Sequence, residues 1–404
     1  HRKSGCFARP MLSHASQAAL SLPLPTADAL AFSRALSQHI STEIAAGDGW
    51  IGFDRFMSLA LYAPGMGYYS GGAHKFGPAG DFVTAPEICP AFAQTLGAQA
   101  AQLLVLCAPR IIEVGAGTGE FAADLLLELE RRGALPDTYA ILDLSGELRA
   151  RQQATLARRT PHLLPRVRWL ERLPERFDGL VLANEVLDAM PAHLVLWGTT
   201  HIAERGVGVD EGRFVWRDRP ASGPLLGRAK VLAGEYEIAP GYLSEISLTA
   251  PAWMTEWAGI LGQGALLLID YGFPRHEYYH PQRSAGTLMC HYRHRSHTDP
   301  FYLPGLQDIT THVDFTGIVE AGCQAGLELL GYTTQSSFLF NCGLTEILSR
   351  TPVGDALRYL PLANAVQKLV SPAEMGEIFK VIALGKGISQ PLLGFATGDR
   401  SATL

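Results

Sequence analysis

Residues 110–119 read Arg-Ile-Ile-Glu-Val-Gly-Ala-Gly-Thr-Gly. A short apolar run meets Glu113, glycines follow at Gly115, Gly117 and Gly119, and a helical pattern begins near Glu120. This is a strand, a tight turn and a helix start, the opening unit of a nucleotide-binding α/β sheet. Strand and helix signals then alternate. Residues 111–114 predict a first strand and 119–132 its helix, and 139–144 a second strand with a helix through Leu148 and Leu156. Residues 167–170 predict a third strand, 180–183 a fourth and, after an insertion, 265–270 a fifth. Apolar strands alternating with helices imply a parallel sheet covered on both faces. A helical pattern over 315–326 and strands over 328–338 and 378–384 would close the sheet in antiparallel fashion.

Upstream, residues 28–46 place Leu30, Ala31, Ala35, Leu36 and Ile40 on one helical face, and further helical patterns cover 53–62 and 91–107. Residues 63–90 are irregular and rich in Gly, Pro and Tyr. A loop this long inside a compact protein is usually functional or mobile. The insertion, 191–250, alternates through Gly212, Phe214, Val215 and Trp216 as a β-hairpin does, rather than as a helix. Residues 273–308 form a second irregular stretch, rich in His, Tyr and Arg. The expected division is an N-terminal extension (1–27), a helical cap and lid (28–108), two core parts (109–190 and 251–390) around a β-rich insertion (191–250), and a tail (391–404).

A chain of 404 residues suits one large domain with insertions, or two domains. Its hydrophobic fraction of 47% supports a well-buried core. A net charge of −6 argues against nucleic-acid binding through a general positive field. Six cysteines without a C-x-x-C pair argue against a disulfide framework or zinc ribbon and for a reducing compartment. No apolar run reaches the roughly 18 residues needed to span a membrane, so no membrane insertion is expected. Residues 1–27 hold basic and small residues and no acid. They read either as a mitochondrial transit peptide, implying the matrix, or as the start of a bacterial reading frame, implying the cytoplasm, which is preferred.

The glycine spacing bears on which nucleotide is bound. The NAD fingerprint G-x-G-x-x-G needs its third glycine where this chain has Glu120. A carboxylate there would repel a pyrophosphate at a helix N-terminus that normally welcomes one. S-adenosylmethionine has no pyrophosphate, and its methionine end carries an ammonium and a sulfonium that acidic residues suit. Glu113, at the end of the first strand, can reach that ammonium directly or through water. Asp143, at the end of the second, can accept hydrogen bonds from both ribose hydroxyls. A turn without a ligand, made by Gly115, Gly117 and Gly119 alone, and a dinucleotide site remain as competing readings.

The fourth strand ends in Leu182-Ala183-Asn184-Glu185-Val186-Leu187-Asp188-Ala189-Met190-Pro191. Ligands of a parallel sheet bind beyond the carboxyl ends of its strands, which puts Asn184, Glu185 and Asp188 beside the glycine turn. Two carboxylates there suit a guanidinium, whose planar fork pairs with them bidentately. The competing reading is that Asn184 and Asp188 cap a following helix.

Four segments together resemble one family, the MidA-like class I methyltransferases. They are 80–88 (Gly-Asp-Phe-Val-Thr-Ala-Pro-Glu-Ile), 113–119, 183–191 and 308–315 (Asp-Ile-Thr-Thr-His-Val-Asp-Phe). They occur in the family's order and span most of the chain. The resemblance implies an α/β fold with a class I, Rossmann-like methyltransferase sheet, a helical N-terminal cap and a β-rich insertion after the fourth strand. It also implies S-adenosylmethionine as cofactor and a protein-arginine methyltransferase activity. Mitochondrial members are complex I assembly factors, and for them the implied substrate is the large catalytic subunit of NADH dehydrogenase, dimethylated symmetrically. The expected partner is then a protein substrate, and a homodimer is compatible with this reading. A small-molecule methyltransferase, a non-catalytic assembly factor with the same fold and a Rossmann oxidoreductase stay open beside it.

The expected donor site comprises Glu113, Gly115, Gly117, Gly119, Asp143 and Asp81. The expected catalytic set is Glu185, as guanidinium clamp, with Asn184, Asp188 and His312. Residues 80–87 would fold over the donor with Asp81 and Glu87 near the cofactor or the substrate arginine, or Asp81 and Thr84 would simply order their loop. His312 and Asp314 could form an acid–base pair, while Asp314 is better placed to cap the helix that follows. Tyr68 and Tyr69 read as an aromatic wall or as ordinary packing, and Trp253 and Trp257 as core or interface rather than a cofactor box. His291, His294 and His297 have a metal-like spacing, but Pro300 and Gly286 argue for a loop and Arg293 and Arg295 against a bound cation. No metal is expected there, and His294 reads as lining a substrate groove.

Overall fold

In the computed structural model, which describes residues 22–72, 85–143 and 145–404, the chain opens with α1 (Ala27–Ala46). Thr26 caps it by accepting the Ala29 N–H at 3.2 Å. A two-residue strand, β1 (Ile51–Gly52), leads into α2 (Phe53–Tyr62). Within the stretch read as irregular, Tyr68–Gly72 forms a π turn and Ala85–Ile88 a single helical turn. Helix α3 (Ala91–Leu106) then enters the sheet.

The core alternates as the sequence predicts: β2 (Arg110–Val114), α4 (Glu120–Arg131), β3 (Thr138–Leu142), α5 (Gly146–Arg159), β4 (Val167–Leu170) and β5 (Phe177–Asn184). The insertion follows as β6 (His193–Trp197), β7 (Ile202–Asp210), β8 (Arg213–Pro220), α6 (Gly223–Glu235) and β9 (Tyr242–Ile246). The chain returns through α7 (Thr249–Ile260) to β10 (Leu261–Phe273). It then makes β11 (Met289–Tyr292), β12 (Arg295–His297), β13 (Asp308–Thr310), β14 (Val313–Asp314), α8 (Phe315–Gln324), β15 (Glu328–Thr334), α9 (Gln335–Asn341), α10 (Ala356–Val370) and β16 (Phe379–Lys386).

The main sheet runs β15-β16-β10-β5-β2-β3-β4. Its members β10, β5, β2, β3 and β4 are parallel, and β16 lies antiparallel between β10 and β15. Successive strand residues face opposite layers. Ile111, Leu182 and Leu267 join one core with α3 and α4. Ile112, Val181 and Leu266 join the other, with Trp257 of α7 and Phe315 of α8, both fully buried. Truncating Trp257 or Phe315 to alanine would cost about 3–5 kcal/mol. The topological switch falls at β2, which has β3 on one side and β5 on the other. It opens a crevice beyond their carboxyl ends.

Tertiary context overrides the sequence reading in several places. The β7–β8 hairpin is present, but the insertion also contains the 13-residue helix α6, and its sheet is completed by β1, where Ile51 lies opposite Val207. The strand expected over 328–338 stops at Thr334, whose hydroxyl oxygen accepts the Ser337 N–H and starts α9. Residues 273–308 are not wholly irregular: β11 and β12 form a hairpin and β13 adds to it. The tail packs back, with Gly394 N–H donating to Gln99 of α3 at 2.8 Å. Among the described residues no helix is long and apolar enough to cross a membrane.

Candidate active site

The glycine turn has the left-handed backbone that its composition allows: φ is +69° at Gly115, +50° at Gly117 and +84° at Gly119. Each glycine meets a different constraint. A Cβ on Gly115 would lie 3.0 Å from Val186 Cγ2, and one on Gly119 would lie 3.1 Å from the Gln152 Cα. Gly119 therefore provides the close approach of the turn to helix α5. Gly117 faces open space, with nothing within 4 Å. Glu120 is turned toward α5 and paired with Arg158 and Arg159. Its charge is met by protein, so repulsion of a pyrophosphate, as expected from the sequence, is not where this site makes its choice.

Gln152 on α5 organises the turn. Its amide donates to Gly117 O at 3.1 Å and to Asp143 Oδ2 at 2.9 Å, and its oxygen accepts from Trp169 Nε1 at 3.1 Å. Asp143 Oδ1 also accepts the Ser145 N–H at 3.2 Å. A cavity of about 320 Å³ opens here, lined by Gly115, Gly117, Asp143, Leu148, Tyr62 and Tyr69 among others. Glu113 is buried and accepts the Tyr139 hydroxyl at 2.7 Å. Burial raises its pKa to about 8, although the Tyr139 hydrogen bond pulls the other way.

A second cavity, of about 200 Å³, adjoins the first through Gly115, Gly117, Tyr69, Leu148 and Glu185. Acidic side chains converge on it: Glu87, Glu113, Glu185, Asp188 and Asp308, with no lysine or arginine among its described lining residues. Glu185 stands at the end of β5 in a left-handed conformation, φ +53°, with its N–H donating to Ile269 O at 2.8 Å. That conformation is uncommon for a residue with a side chain and is typical of functional sites. Its Oε1 accepts from Asn184 Nδ2 at 3.3 Å and from the Ala85 N–H at 3.4 Å. Burial, then the charge of Asp188, raises Glu185 to about 8. Asp188 is driven upward by burial and by Asp270 and Asp308. Asp188 Oδ1 and Asn184 Oδ1 are buried without a hydrogen-bond partner among the described residues.

These positions settle several competing expectations. No helix follows β5, so Asn184 and Asp188 are not helix caps. Asp314 does cap α8, accepting the Gly317 N–H at 3.1 Å. His312 is not in either acidic cavity. It lines a third, about 250 Å³, with Leu187 and Glu245, stacked on Phe273 at 5.2 Å. Burial, then Arg283 and Lys380, lowers it to about 4. The structure therefore does not bring it to the carboxylates as expected. His294 sits exposed in the β11–β12 turn, φ +63°, and is not among the described lining residues of the cavities at this site. Tyr68 and Tyr69 do form an aromatic wall, with Tyr69 stacked on Tyr62 at 5.6 Å. Trp257 is core. Asp81 lies outside the described residues, while Glu87, just beyond, lines the acidic cavity.

Three contributors escaped the sequence reading. Asp308, on β13, accepts the Tyr69 hydroxyl at 3.0 Å through both oxygens. Asp270, in the last part of β10, holds the backbone of the Glu185–Asp188 turn. Gln152 fastens Gly117 to Asp143. Asp308 falls in a segment that carried the family resemblance. The other two had no local signal.

Known proteins resemble this chain in sequence and in fold. The model of a family of S-adenosyl-L-methionine-dependent methyltransferases matches residues 90–333. A Burkholderia thailandensis protein, crystallised bound to S-adenosyl-homocysteine, is 55% identical with a TM-score of 0.92, covering 95% of this chain and 100% of its own. Protein arginine methyltransferase NDUFAF7, mitochondrial, of Mus musculus is 28% identical over 387 residues, covering 86% of this chain and 83% of its own length. Its Danio rerio counterpart is 27% identical over 392 residues, covering 87% of each.

Proposed function

Because the chain belongs to the family of S-adenosyl-L-methionine-dependent methyltransferases and S-adenosylmethionine is its cofactor, we propose that its methyl acceptor is an arginine side chain of a protein. The observation that carries this reading is the acidic cavity that adjoins the donor cavity through Glu185 and has no basic residue among its described lining residues. A guanidinium keeps its charge at any working pH and offers five N–H donors. It suits a site where a buried carboxylate oxygen of Asp188 and the amide oxygen of Asn184 lack partners among the described residues.

The residues present fit the donor. Asp143, held by Gln152 and Ser145, would take the ribose hydroxyls, and Gly117, with open space before it, would let the backbone approach. Glu113 and the unpartnered oxygens at Asn184 and Asp188 would receive the methionine ammonium or the acceptor. When bound, S-adenosylmethionine supplies an electrophilic methyl group on a sulfonium. Glu185, shared by the two cavities, would orient one guanidinium nitrogen, and alignment of this kind can supply roughly 7–11 kcal/mol of barrier reduction. Asp188 and Asp308 would hold the rest of the fork and accept the proton that leaves the nitrogen.

The MidA-like resemblance makes the large catalytic subunit of NADH dehydrogenase, or its equivalent, the first partner to test, with symmetric dimethylation the expected product. Purified protein, labelled S-adenosylmethionine and the cognate subunit should give label on arginine. Label on another residue type, or on a small molecule only, would remove the arginine reading.

A further inference from the structure

Away from both acidic cavities, three side chains from three elements converge on one point. Asp54 lies in the first turn of α2, His193 opens β6 and Glu204 lies on β7. Glu204 pairs with Val195, two residues from His193, which puts the two side chains on one face of the insertion sheet. The β1–β7 pairing, with Gly52 opposite Gly206, carries the start of α2 over that face. His193 Nδ1 is 2.7 Å from Glu204 Oε1 and 3.4 Å from Asp54 Oδ1, and the three atoms lie within 4.8 Å of one another.

A hydrogen-bonded ion pair accounts for only part of this. Nδ1 carries at most one hydrogen, yet two carboxylate oxygens face it. Even a protonated imidazole leaves one negative charge over. Among the described residues, the ion pairs of Asp54 and Glu204 are with His193 and with no lysine or arginine. The space is kept clear of side chains: a Cβ on Gly52 would collide with Asp54 Oδ1 and sit 3.0 Å from Glu204 Oε1. Ligands about 2.0–2.2 Å from a metal ion stand about 3–3.5 Å from one another. His193 Nδ1 and Asp54 Oδ1, 3.4 Å apart, have that spacing, and Glu204 Oε1, 2.7 Å from Nδ1, would draw back slightly to admit an ion. One imidazole nitrogen and two carboxylate oxygens, with room for water, suit zinc and similar first-row divalent ions.

We propose that Asp54, His193 and Glu204 bind a divalent transition-metal ion that fastens the N-terminal cap to the insertion sheet. The site would brace the donor cavity from a distance. At the far end of α2, Tyr62 lines that cavity and donates its hydroxyl to Ala189 O at 2.7 Å, and Ala189 lies four residues before His193. The ion takes no part in methyl transfer.

The test is titration calorimetry and thermal melting of full-length protein stripped with a chelator, using Zn(II) and, separately, Mn(II). One equivalent should bind, with a rise in Tm that saturates at that ratio. His193→Ala and the near-isosteric Glu204→Gln should each weaken binding at least tenfold and abolish the rise. An unchanged far-UV circular dichroism spectrum and a cooperative thermal transition in Glu204→Gln would show that the variant is folded. Replacing His276, an exposed histidine beside Glu277, should change nothing. No stoichiometric binding, or binding that survives both triad variants, overturns the proposal. So does a triad whose stability follows the His193 proton and gains nothing from either metal, which would make it an ion pair.

Discussion

The carboxylate of Asp270 receives the backbone N–H of Leu187 at 2.9 Å. The same oxygen takes the Asp188 N–H at 3.3 Å, and the other takes the Tyr271 N–H at 3.0 Å. Asp270 is 1% exposed and lines neither acidic cavity. It thus fixes the turn bearing Glu185 and Asp188 without reaching the ligands. Asp270→Asn keeps the size but presents an NH₂ group to backbone donors, leaving at least one of them unmade. A loss of about 1–3 kcal/mol is expected in denaturant unfolding. Turnover should fall more than S-adenosylhomocysteine affinity, because the acceptor carboxylates depend on this turn.

Glu185→Gln preserves shape and removes the charge at the junction of the two cavities. With an arginine-containing protein substrate, kcat/KM should fall about 100-fold, the order seen when one electrostatic group of an active site is removed. Donor affinity by calorimetry should change little. Full turnover in this variant would take the guanidinium clamp away from Glu185.

The buried carboxyls make pH dependence a direct test. Burial pushes Glu185 and Glu113 up to about 8, and Asp188 and Asp270 are also pushed upward. Below that range the groups are largely neutral and hold a cationic acceptor poorly. Hence kcat/KM should rise with pH and level off above about 8. Stability runs the opposite way. An unfolded glutamate titrates near about 4.3. Since the folded pKa values are higher, the stabilisation they carry is complete below that value and is lost as pH rises through about 8. The Tm of the ligand-free protein should therefore fall as pH rises from about 4.3 to about 8 and level off above it, and fall less in Glu185→Gln.

Two glycines of the turn should separate packing from binding. Gly119→Ala puts a Cβ 3.1 Å from the Gln152 Cα on a backbone with φ +84°. It should destabilise by about 1–3 kcal/mol and also weaken donor binding, because Gln152 holds Gly117 and Asp143. At Gly117 nothing lies within 4 Å, so Gly117→Ala should cost less stability while still reducing S-adenosylhomocysteine affinity. Calorimetry and thermal melting on the two variants check both orderings.

The sheet was legible because its signals are local. Apolar runs at 111–114, 180–183 and 265–270 each lie inside an observed strand, and positive φ at Gly115, Gly117 and Gly119 follows from side-chain sterics. The family match and the Burkholderia thailandensis neighbour agree with that reading of the fold and of the donor. Glu120 was misjudged because its partners, Arg158 and Arg159, lie on another helix nearly forty positions away. Helix α6 escaped because Gly212, Phe214, Val215 and Trp216 describe the hairpin beside it and say nothing of 223–235.

By itself, then, the sequence determined the parallel sheet, the glycine turn and the acidic end of β5, since backbone period and glycine conformation act over a few residues. The tertiary structure decided which charges meet. Asp308 joins Glu185 through the packing of β13 and the Tyr69 wall, Asp270 reaches the Leu187 and Asp188 amides through the β5–β10 register, and His312 is drawn off to another cavity. Strand order and long-range register fix those meetings, and neither is encoded in the spacing of residues along one segment.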